Sequence, residues 1–246
     1  MGRGGRARTD RAWWCRAHRV SWAGPSRVPS GLVTVERERT KGHVRRTSPP
    51  PARVVVVAAS TGGPSALARL LPALPADLEV PVLVVQHLPA GLEEGLAARL
   101  DRMSTVAVAV ATRGQILRPG HVLLAPGWGH LEVELSDGVP RAEVRRSPPV
   151  RCCRPSADVL FASAAEAYGA STLGVVLTGM GRDGLDGSRR IHARGGRVFV
   201  QDRTTSAVWG MPGVVARAGL ACEVLPLPRL AAAVAHACAR GSSRAA

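Results

Sequence analysis

The stretch Val-Val-Val-Val-Ala-Ala-Ser-Thr-Gly-Gly-Pro at residues 54–64 decides the fold class. Its first six residues form an unbroken apolar run rich in valine, which is typical of a strand buried on both faces of a parallel sheet. Ser60 and a Gly-Gly-Pro turn follow, and residues 65–71 then have the composition of a helix. Because parallel strands must be joined by a crossover connection, a strand followed at once by a helix predicts the α/β class.

Strands and helices continue to alternate along the rest of the chain. Apolar runs predict strands at residues 80–85, 106–111, 121–125, 173–177, 197–201 and 223–225. Helical patterns predict helices at residues 91–103, 158–168, 185–193, 212–218 and 228–239, the second of these capped by Ser156. Residues 131–135 alternate between apolar and polar, and Asp137-Gly138 predicts a hairpin turn. We therefore expect a doubly wound, mostly parallel sheet with helices on both faces and a small antiparallel hairpin.

The positive charge of the chain is concentrated at its N-terminus. The 246 residues carry a formal net charge of +15, and residues 1–53 hold 13 basic and three acidic residues. This segment has no sustained hydrophobic period and runs into three consecutive prolines at residues 49–51. We predict a disordered basic arm and Pro-rich linker at residues 1–52 and a single domain at residues 53–240.

The basic arm has two interpretations. It is either a tether for nucleic acid or an acidic surface, with Trp13, Trp14 and Trp22 stacking on bases, or an unstructured extension. Residues 54–246 hold 20 basic and 15 acidic residues, so they are only mildly basic. Nucleic acid is therefore not expected to be the main partner, because the case for it depends on the arm alone.

The cysteines and the hydropathy pattern bear on the compartment. Five cysteines are an odd number without a framework spacing, which favours a reducing cytoplasm over a disulfide-rich secreted protein. No apolar run approaches the roughly 20 residues of a membrane span, so no membrane insertion is expected. No local pair of His or Cys has the spacing of metal ligands, so no metal site is predicted.

Three residues of catalytic types follow three of the predicted buried strands. Ser60 follows the first, His87 the second, and Asp183 lies in the Gly-rich turn after the strand at residues 173–177. Ligands of parallel α/β sheets bind at the carboxyl ends of the strands. We therefore expect a hydroxyl, an imidazole and a carboxylate to meet at one edge of the sheet.

This combination suits nucleophilic catalysis. A serine hydroxyl needs a base to accept its proton, and imidazole is the usual base near neutral pH. A carboxylate on the other ring nitrogen holds the tautomer and stabilises the imidazolium. The backbone amides of Thr61 and Gly62, at a helix start, and of Met180 and Gly181, before Asp183, are predicted to stabilise an oxyanion and position the substrate.

Each residue also has a simpler explanation when it is taken alone. Ser60 before Gly-Gly fits a phosphate-binding turn or a plain helix cap, and His87 fits a structural histidine. Asp183 fits a turn former, and Asp186 competes with it for the role of the acid. His130 follows Gly-Trp-Gly and is interpreted as a loop residue. A non-catalytic module that binds an anion or a partner of a signalling system therefore stays open as an alternative.

Taken together, six blocks of sequence resemble one family. They are Ala-Ala-Ser-Thr-Gly-Gly-Pro at residues 58–64, Gln-His-Leu-Pro at 86–89, Ala-Pro-Gly at 125–127, Arg-Pro-Ser-Ala-Asp-Val-Leu-Phe at 154–161, Leu-Thr-Gly-Met-Gly-Arg-Asp-Gly at 177–184 and Gly-Met-Pro at 210–212. Their order and content are similar to those of the CheB family, the protein-glutamate methylesterases of bacterial chemotaxis. The resemblance covers about residues 53–235.

The resemblance implies a function and a set of roles. It implies a doubly wound α/β catalytic domain that hydrolyses glutamate methyl esters on the cytoplasmic helices of methylated chemoreceptors, releases methanol and in some members deamidates glutamine. The family's nucleophile, base and orienting acid fall on Ser60, His87 and Asp183 of this sequence. No metal or organic cofactor is expected, and the chain is expected to be cytoplasmic.

Two features depart from the family's pattern. Typical members begin with a receiver domain, and residues 1–52 are too few and too basic to form one, so phosphorylation control within this chain is not expected. Cys152 and Cys153 stand where family members commonly carry polar or His/Arg residues. We interpret both cysteines as structural or incidental, because nothing in the sequence lowers the pKa of Cys153, the one that could be mistaken for a nucleophile.

Overall fold

The computed structural model describes residues 49–239, so the predicted arm, up to residue 48, lies outside the described residues. The predicted elements are confirmed, with ends shifted by no more than two residues. The strands are β1 (Val54–Ala59), β2 (Val82–Gln86), β3 (Ala107–Val110), β4 (Gln115–Ile116), β5 (His121–Leu124), β6 (His130–Ser136), β7 (Val139–Arg145), β8 (Thr172–Val176), β9 (Arg197–Gln201) and β10 (Glu223–Leu225). The α-helices are α1 (Gly63–Leu70), α2 (Glu93–Met103), α3 (Ala157–Tyr168), α4 (Leu185–Ala193), α5 (Met211–Arg217) and α6 (Leu227–Cys238).

Seven strands form a parallel sheet in the order β10-β9-β8-β1-β2-β5-β3. The chain winds outward from β1 through β2 in one direction and later returns to place β8 on the other side of β1. The strand order therefore reverses between β1 and β8, which is where ligands bind in doubly wound sheets.

The β1 strand is buried because it separates two hydrophobic cores. Val55, Val57 and Ala59 pack into the core that contains α1, α2 and α6. Residues 54, 56 and 58 pack into the opposite core, with α3, α4 and α5. This explains why β1 is an unbroken apolar run, since successive side chains of a strand point to opposite faces and both faces are covered.

A second, antiparallel sheet has the order β4-β7-β6. Asp137 and Gly138 form its hairpin turn with φ of 53° and 75°, as the Asp-Gly signal predicts. The predicted hairpin is thus confirmed and extended by β4, which is only two residues long and too short to show a sequence period. This sheet packs on the side of α3, whose Ser163 hydroxyl accepts a hydrogen bond of 3.0 Å from the Val133 amide.

The segment just before β1 packs on the same domain. Ala52 is buried, and its amide donates a hydrogen bond of 2.8 Å to the Ala237 carbonyl at the end of α6. The Arg197 guanidinium donates to the Pro50 carbonyl at 3.1 Å. Among the described helices, none is both long enough and apolar enough to cross a membrane.

Candidate active site

Ser60 and His87 lie side by side at the carboxyl edge of the sheet. The β1–β2 register pairs Ala59 with Gln86, and the His87 amide donates a hydrogen bond of 3.0 Å to the Ala59 carbonyl. On the other side, the Ser60 amide donates to the Thr178 carbonyl at 3.0 Å, just past β8. Ser60 therefore lies at the point where the strand order reverses, between the ends of β2 and β8.

Two glycines shape the turn after Ser60. Gly62 has φ of 79°, and a Cβ added there would lie 2.6 Å from the Cβ of Ala207. Gly63 opens α1, and a Cβ there would lie 1.9 Å from the Gln86 side-chain oxygen. The turn therefore needs glycine for its backbone conformation at the first position and for close packing at the second.

The Gln86 side chain ties the two strand ends together. Its Nε2 donates hydrogen bonds to the carbonyls of Ser60, at 3.0 Å, and His87, at 2.9 Å. Gln86 is buried, so these bonds are shielded from water. This positioning role was not predicted, although an amide side chain at the end of an apolar strand, directly before the candidate base, is a usable signal in the sequence.

The side chains of His87 and Asp183 form a direct hydrogen bond. His87 Nε2 lies 2.8 Å from Asp183 Oδ2, with the imidazole side chain 19% exposed and the carboxylate 4% exposed. The two residues are 96 positions apart and come together because the turn after β8 approaches the end of β2. Two of the three predicted triad residues are thus in contact.

The Asp183 carboxylate accepts five hydrogen bonds. Oδ2 accepts from His87 Nε2 and from the Ala157 amide at 2.7 Å. Oδ1 accepts from the Ser156 hydroxyl at 2.8 Å and from the amides of Asp158, at 3.0 Å, and residue 184, at 3.1 Å. Ser156 occupies the predicted N-cap position of α3, but its hydroxyl makes no capping bond and donates to Asp183. The capping hydrogen bonds come from the Asp183 carboxylate, which accepts from the first free amides of α3.

These bonds decide the charge of Asp183. Burial alone would raise the pKa of this carboxyl, but the hydrogen bonds from His87, from the first amides of α3 and from Ser156 outweigh it and hold the pKa below the ordinary 3.8. The positive end of the α3 dipole acts in the same direction. Asp183 is therefore ionised at neutral pH and accepts from Nε2 of His87, so the neutral tautomer that fits this contact carries its proton on Nε2 and its lone pair on Nδ1.

The hydroxyl end of the site, which consists of Ser60 and the turns at residues 61–62 and 180–181, is not hydrogen-bonded in this way. Within residues 49–239, no hydrogen bond joins the Ser60 hydroxyl to His87, and the amides of Thr61, Gly62, Met180 and Gly181 have no hydrogen-bond partner. Apart from the half-buried Gly62, these turn residues are exposed at the same edge of the sheet as Ser60. The amides predicted to stabilise an oxyanion thus have no partner within the described part of the protein.

The structure separates Asp183 from the other candidates. Asp186 lies at the start of α4 and pairs with Arg151 and Arg189. His130 is fully buried in β6, so its interpretation as a loop residue is wrong. Its Nδ1 accepts from the Ser156 amide at 3.1 Å and its Nε2 donates to a carbonyl at residue 148, so it positions the segment that holds Asp183.

Cys153 lies next to the His87–Asp183 pair. Its sulfur, a ring nitrogen of His87 and a carboxylate oxygen of Asp183 all lie within 4.8 Å of one another. Burial, together with the negative charges of Asp183 and Asp158, raises the pKa of the Cys153 thiol, so the thiol is protonated at neutral pH and is a poor nucleophile. These three residues are far apart along the chain, so they have no metal-ligand spacing in the sequence.

Comparisons with known proteins identify the family of this chain. The family model described as CheB methylesterase matches residues 55–234, about three quarters of the chain. The chain belongs to the CheB methylesterase family. The structure is similar to the crystal structure of the Thermotoga maritima CheB methylesterase catalytic domain, with a TM-score of 0.74. The two sequences are 37% identical, and the match covers 75% of this chain and 98% of that one.

Curated CheB relatives are longer than this chain. A protein-glutamate methylesterase/protein-glutamine glutaminase of Myxococcus xanthus is 54% identical over 179 residues, which are 73% of this chain and 50% of the relative. A protein of the same name from a Nocardioides species is 47% identical over 213 residues, which are 86% of this chain and 58% of the relative. The chain thus spans about half the length of these relatives.

Proposed function

We propose that this chain is a protein-glutamate methylesterase that uses Ser60, His87 and Asp183. The observation that carries the proposal is the contact between His87 Nε2 and a buried, ionised Asp183 beside Ser60 at the switch point of the sheet. A module that only binds an anion does not need an imidazole held in one orientation and one tautomer. Here a carboxylate that accepts five hydrogen bonds holds it in this way. Membership of the CheB family supports the same reaction.

In the proposed acylation step, the Ser60 oxygen attacks the carbonyl carbon of the glutamate methyl ester. The hydroxyl proton passes to Nδ1 of His87, and Asp183 stabilises the resulting imidazolium. The carbonyl oxygen becomes an oxyanion, which receives hydrogen bonds from the unpartnered amides of Thr61 and Gly62 or of Met180 and Gly181. As the intermediate collapses, the C–O bond to the methoxy group breaks and His87 returns its proton to the departing methanol.

Deacylation repeats these steps with water as the nucleophile. Water gives a proton to His87 and attacks the acyl carbon, and the bond to Ser60 breaks as His87 returns that proton to the serine oxygen. The products are a glutamate carboxylic acid, which ionises, and a free enzyme. A glutamine side chain enters the same route with ammonia as the leaving group, which is the basis for proposing a glutaminase activity as well.

The proposed substrate is a methylated glutamate on the cytoplasmic helices of a chemoreceptor. The candidate site suits a side chain presented by a protein surface, because Met180 and the turn around Thr61 are exposed beside it. We place the reaction in the cytoplasm, since the four described cysteines are free thiols, as in a reducing compartment.

The decisive experiment is methanol release from a methylated receptor cytoplasmic domain incubated with the purified chain. We expect stoichiometric methanol and loss of the methyl label from the receptor, and ammonia from a receptor with glutamine at the same positions. Tight receptor binding without methanol or ammonia would contradict the proposal and favour a non-catalytic binding module.

A further inference from the structure

The Cys153 side chain has no part in the proposed ester hydrolysis, although it lies beside the base and the acid. Two backbone hydrogen bonds of 2.8 and 3.0 Å pair Cys153 with Val150 and hold it in a narrow loop. Cys152 is its exposed neighbour and is not part of the cluster. The cluster therefore consists of one sulfur, one imidazole nitrogen and one carboxylate oxygen, all within 4.8 Å of one another.

This set of donor atoms is that of a zinc-type site. Thiolate, imidazole and carboxylate bind Zn²⁺ at about 2.3, 2.0–2.1 and 2.0–2.2 Å, which puts tetrahedral ligand atoms roughly 3.3–3.8 Å apart. The His87–Asp183 pair is already closer than that, at 2.8 Å, and the sulfur is within 4.8 Å. Small side-chain rotations would bring all three to one ion, and the partly exposed His87 ring leaves the fourth position open to water.

We propose that Cys153, His87 and Asp183 form a site for a thiophilic divalent cation, Zn²⁺ or Cd²⁺, and that its occupancy inhibits the enzyme. Binding uses these residues alone and does not depend on any activity. The inhibitory effect rests on the proposed function, because it requires His87 to act as the base.

A metal ion on either ring nitrogen of His87 would prevent the imidazole from accepting the Ser60 proton. An ion on Nδ1 would occupy the lone pair that must accept the Ser60 proton. An ion on Nε2 would displace the proton that Nε2 donates to Asp183, and the neutral ring would then carry its proton on Nδ1 and have no lone pair there. In both cases the Cys153 thiol loses its proton to solvent as the metal–sulfur bond forms.

Cd²⁺ titration of the untagged full chain under reducing conditions tests the binding directly. We expect an ultraviolet charge-transfer band from a cadmium–thiolate bond to saturate near one equivalent. Cys153→Ser should weaken this binding by at least about tenfold, as expected for the loss of a ligand. Cys152→Ser is the matched control, since it removes an adjacent exposed thiol. It should change the Cd²⁺ affinity by less than about twofold.

Two further measurements separate metal binding at this site from inhibition of ester hydrolysis. Ser60→Ala should bind Cd²⁺ like wild type, so binding is measured even if the proposed activity fails. Zn²⁺ should inhibit ester hydrolysis, each variant being compared with its own metal-free rate, and Cys153→Ser should need at least about ten times more Zn²⁺ for the same inhibition. Unchanged Cd²⁺ affinity in Cys153→Ser, or an equal loss in Cys152→Ser, would overturn the proposed site.

Discussion

The acid end and the hydroxyl end of the candidate triad are built in opposite ways. Asp183 is buried and accepts five hydrogen bonds, from α3, from Ser156, from the next amide and from His87. At the other end, Ser60 makes no side-chain hydrogen bond within residues 49–239, and neighbouring backbone amides are exposed and unpartnered. The acid end is fully hydrogen-bonded within the protein, and in the proposed mechanism the substrate supplies the missing partners at the hydroxyl end.

This difference shows where preorganisation is concentrated. In the proposed mechanism, orienting the imidazole requires a fixed acid, whereas the proposed nucleophile and oxyanion donors must stay free to contact the ester. Changes at the hydroxyl end should therefore affect turnover with little effect on folding. Changes at the acid end should affect both turnover and folding.

Replacing Ser60 by Ala should have the largest effect on turnover. Without the hydroxyl there is no nucleophile, so we expect hydrolysis of a small ester and of methylated receptor to fall by on the order of 10⁶. The melting temperature should stay near that of wild type, because the hydroxyl makes no hydrogen bond that folding depends on. Ser65→Ala, on the exposed face of α1, is the control and should keep full activity. Retention of even a tenth of the activity in Ser60→Ala would exclude Ser60 as the nucleophile.

Asp183→Asn should lower turnover by on the order of 10⁴ and also destabilise the fold. Donors surround both carboxylate oxygens, so an amide in either orientation must point its NH₂ group at another donor. Ester hydrolysis and thermal unfolding should both be measured. Asp186→Asn, three residues away with surface arginine partners, should change each of them far less. If the two substitutions lowered turnover and stability equally, Asp183 would have no role in the site that Asp186 lacks.

Ser156→Ala should have an intermediate effect that appears mainly in stability. It removes one of the five bonds to Asp183, and a hydrogen bond to a buried charged group contributes about 1.5–3 kcal/mol. Turnover should fall by less than about tenfold, well below the loss in stability, because four donors still hold the carboxylate against His87. Ser104→Ala is a matched control, since the Ser104 hydroxyl is also buried but has no hydrogen-bond partner. Urea unfolding of both variants tests this contrast, and the idea fails if Ser104→Ala is the more damaging change.

The pH dependence of stability should show the smallest effect. The pKa of Asp183 is lower in the folded protein than the ordinary value of 3.8, so its ionised form stabilises the fold above that pH. This contribution should be lost as the pH falls below 3.8 towards the lowered pKa. The stability gap between wild type and Asp183→Asn should therefore be constant from about pH 5 to 7 and narrow in stronger acid. A gap that widens in acid would contradict the lowered pKa.

The fold was largely predictable from the sequence because burial on both faces leaves a clear pattern. The apolar run of β1 and the strand–turn–helix order after it predict a parallel sheet. The exception is β4, whose two residues pair with β7 through backbone bonds and carry no pattern. Its existence depends on tertiary contacts that a local pattern does not contain.

The candidate site was predictable only as far as strand ends reveal it. Ser60, His87 and Asp183 could be selected because parallel strands place their carboxyl ends at one edge. The roles of Gln86 and His130 were missed because each contacts backbone atoms of distant segments. The proximity of Cys153 to His87 was missed for the same reason, since a loop and a strand end 66 positions apart meet only in the folded chain.

The use of one carboxylate both to hold His87 and to bind the first amides of α3 has a consequence for local unfolding. Asp183 cannot swing away from the imidazole without also exposing the N-terminal turn of α3 to water. Opening of the acid end and fraying of this helix are therefore one event with one free energy. Amide hydrogen exchange at Ala157 and Asp158 should accordingly report how long the contact between His87 and Asp183 persists, with no need for a substrate.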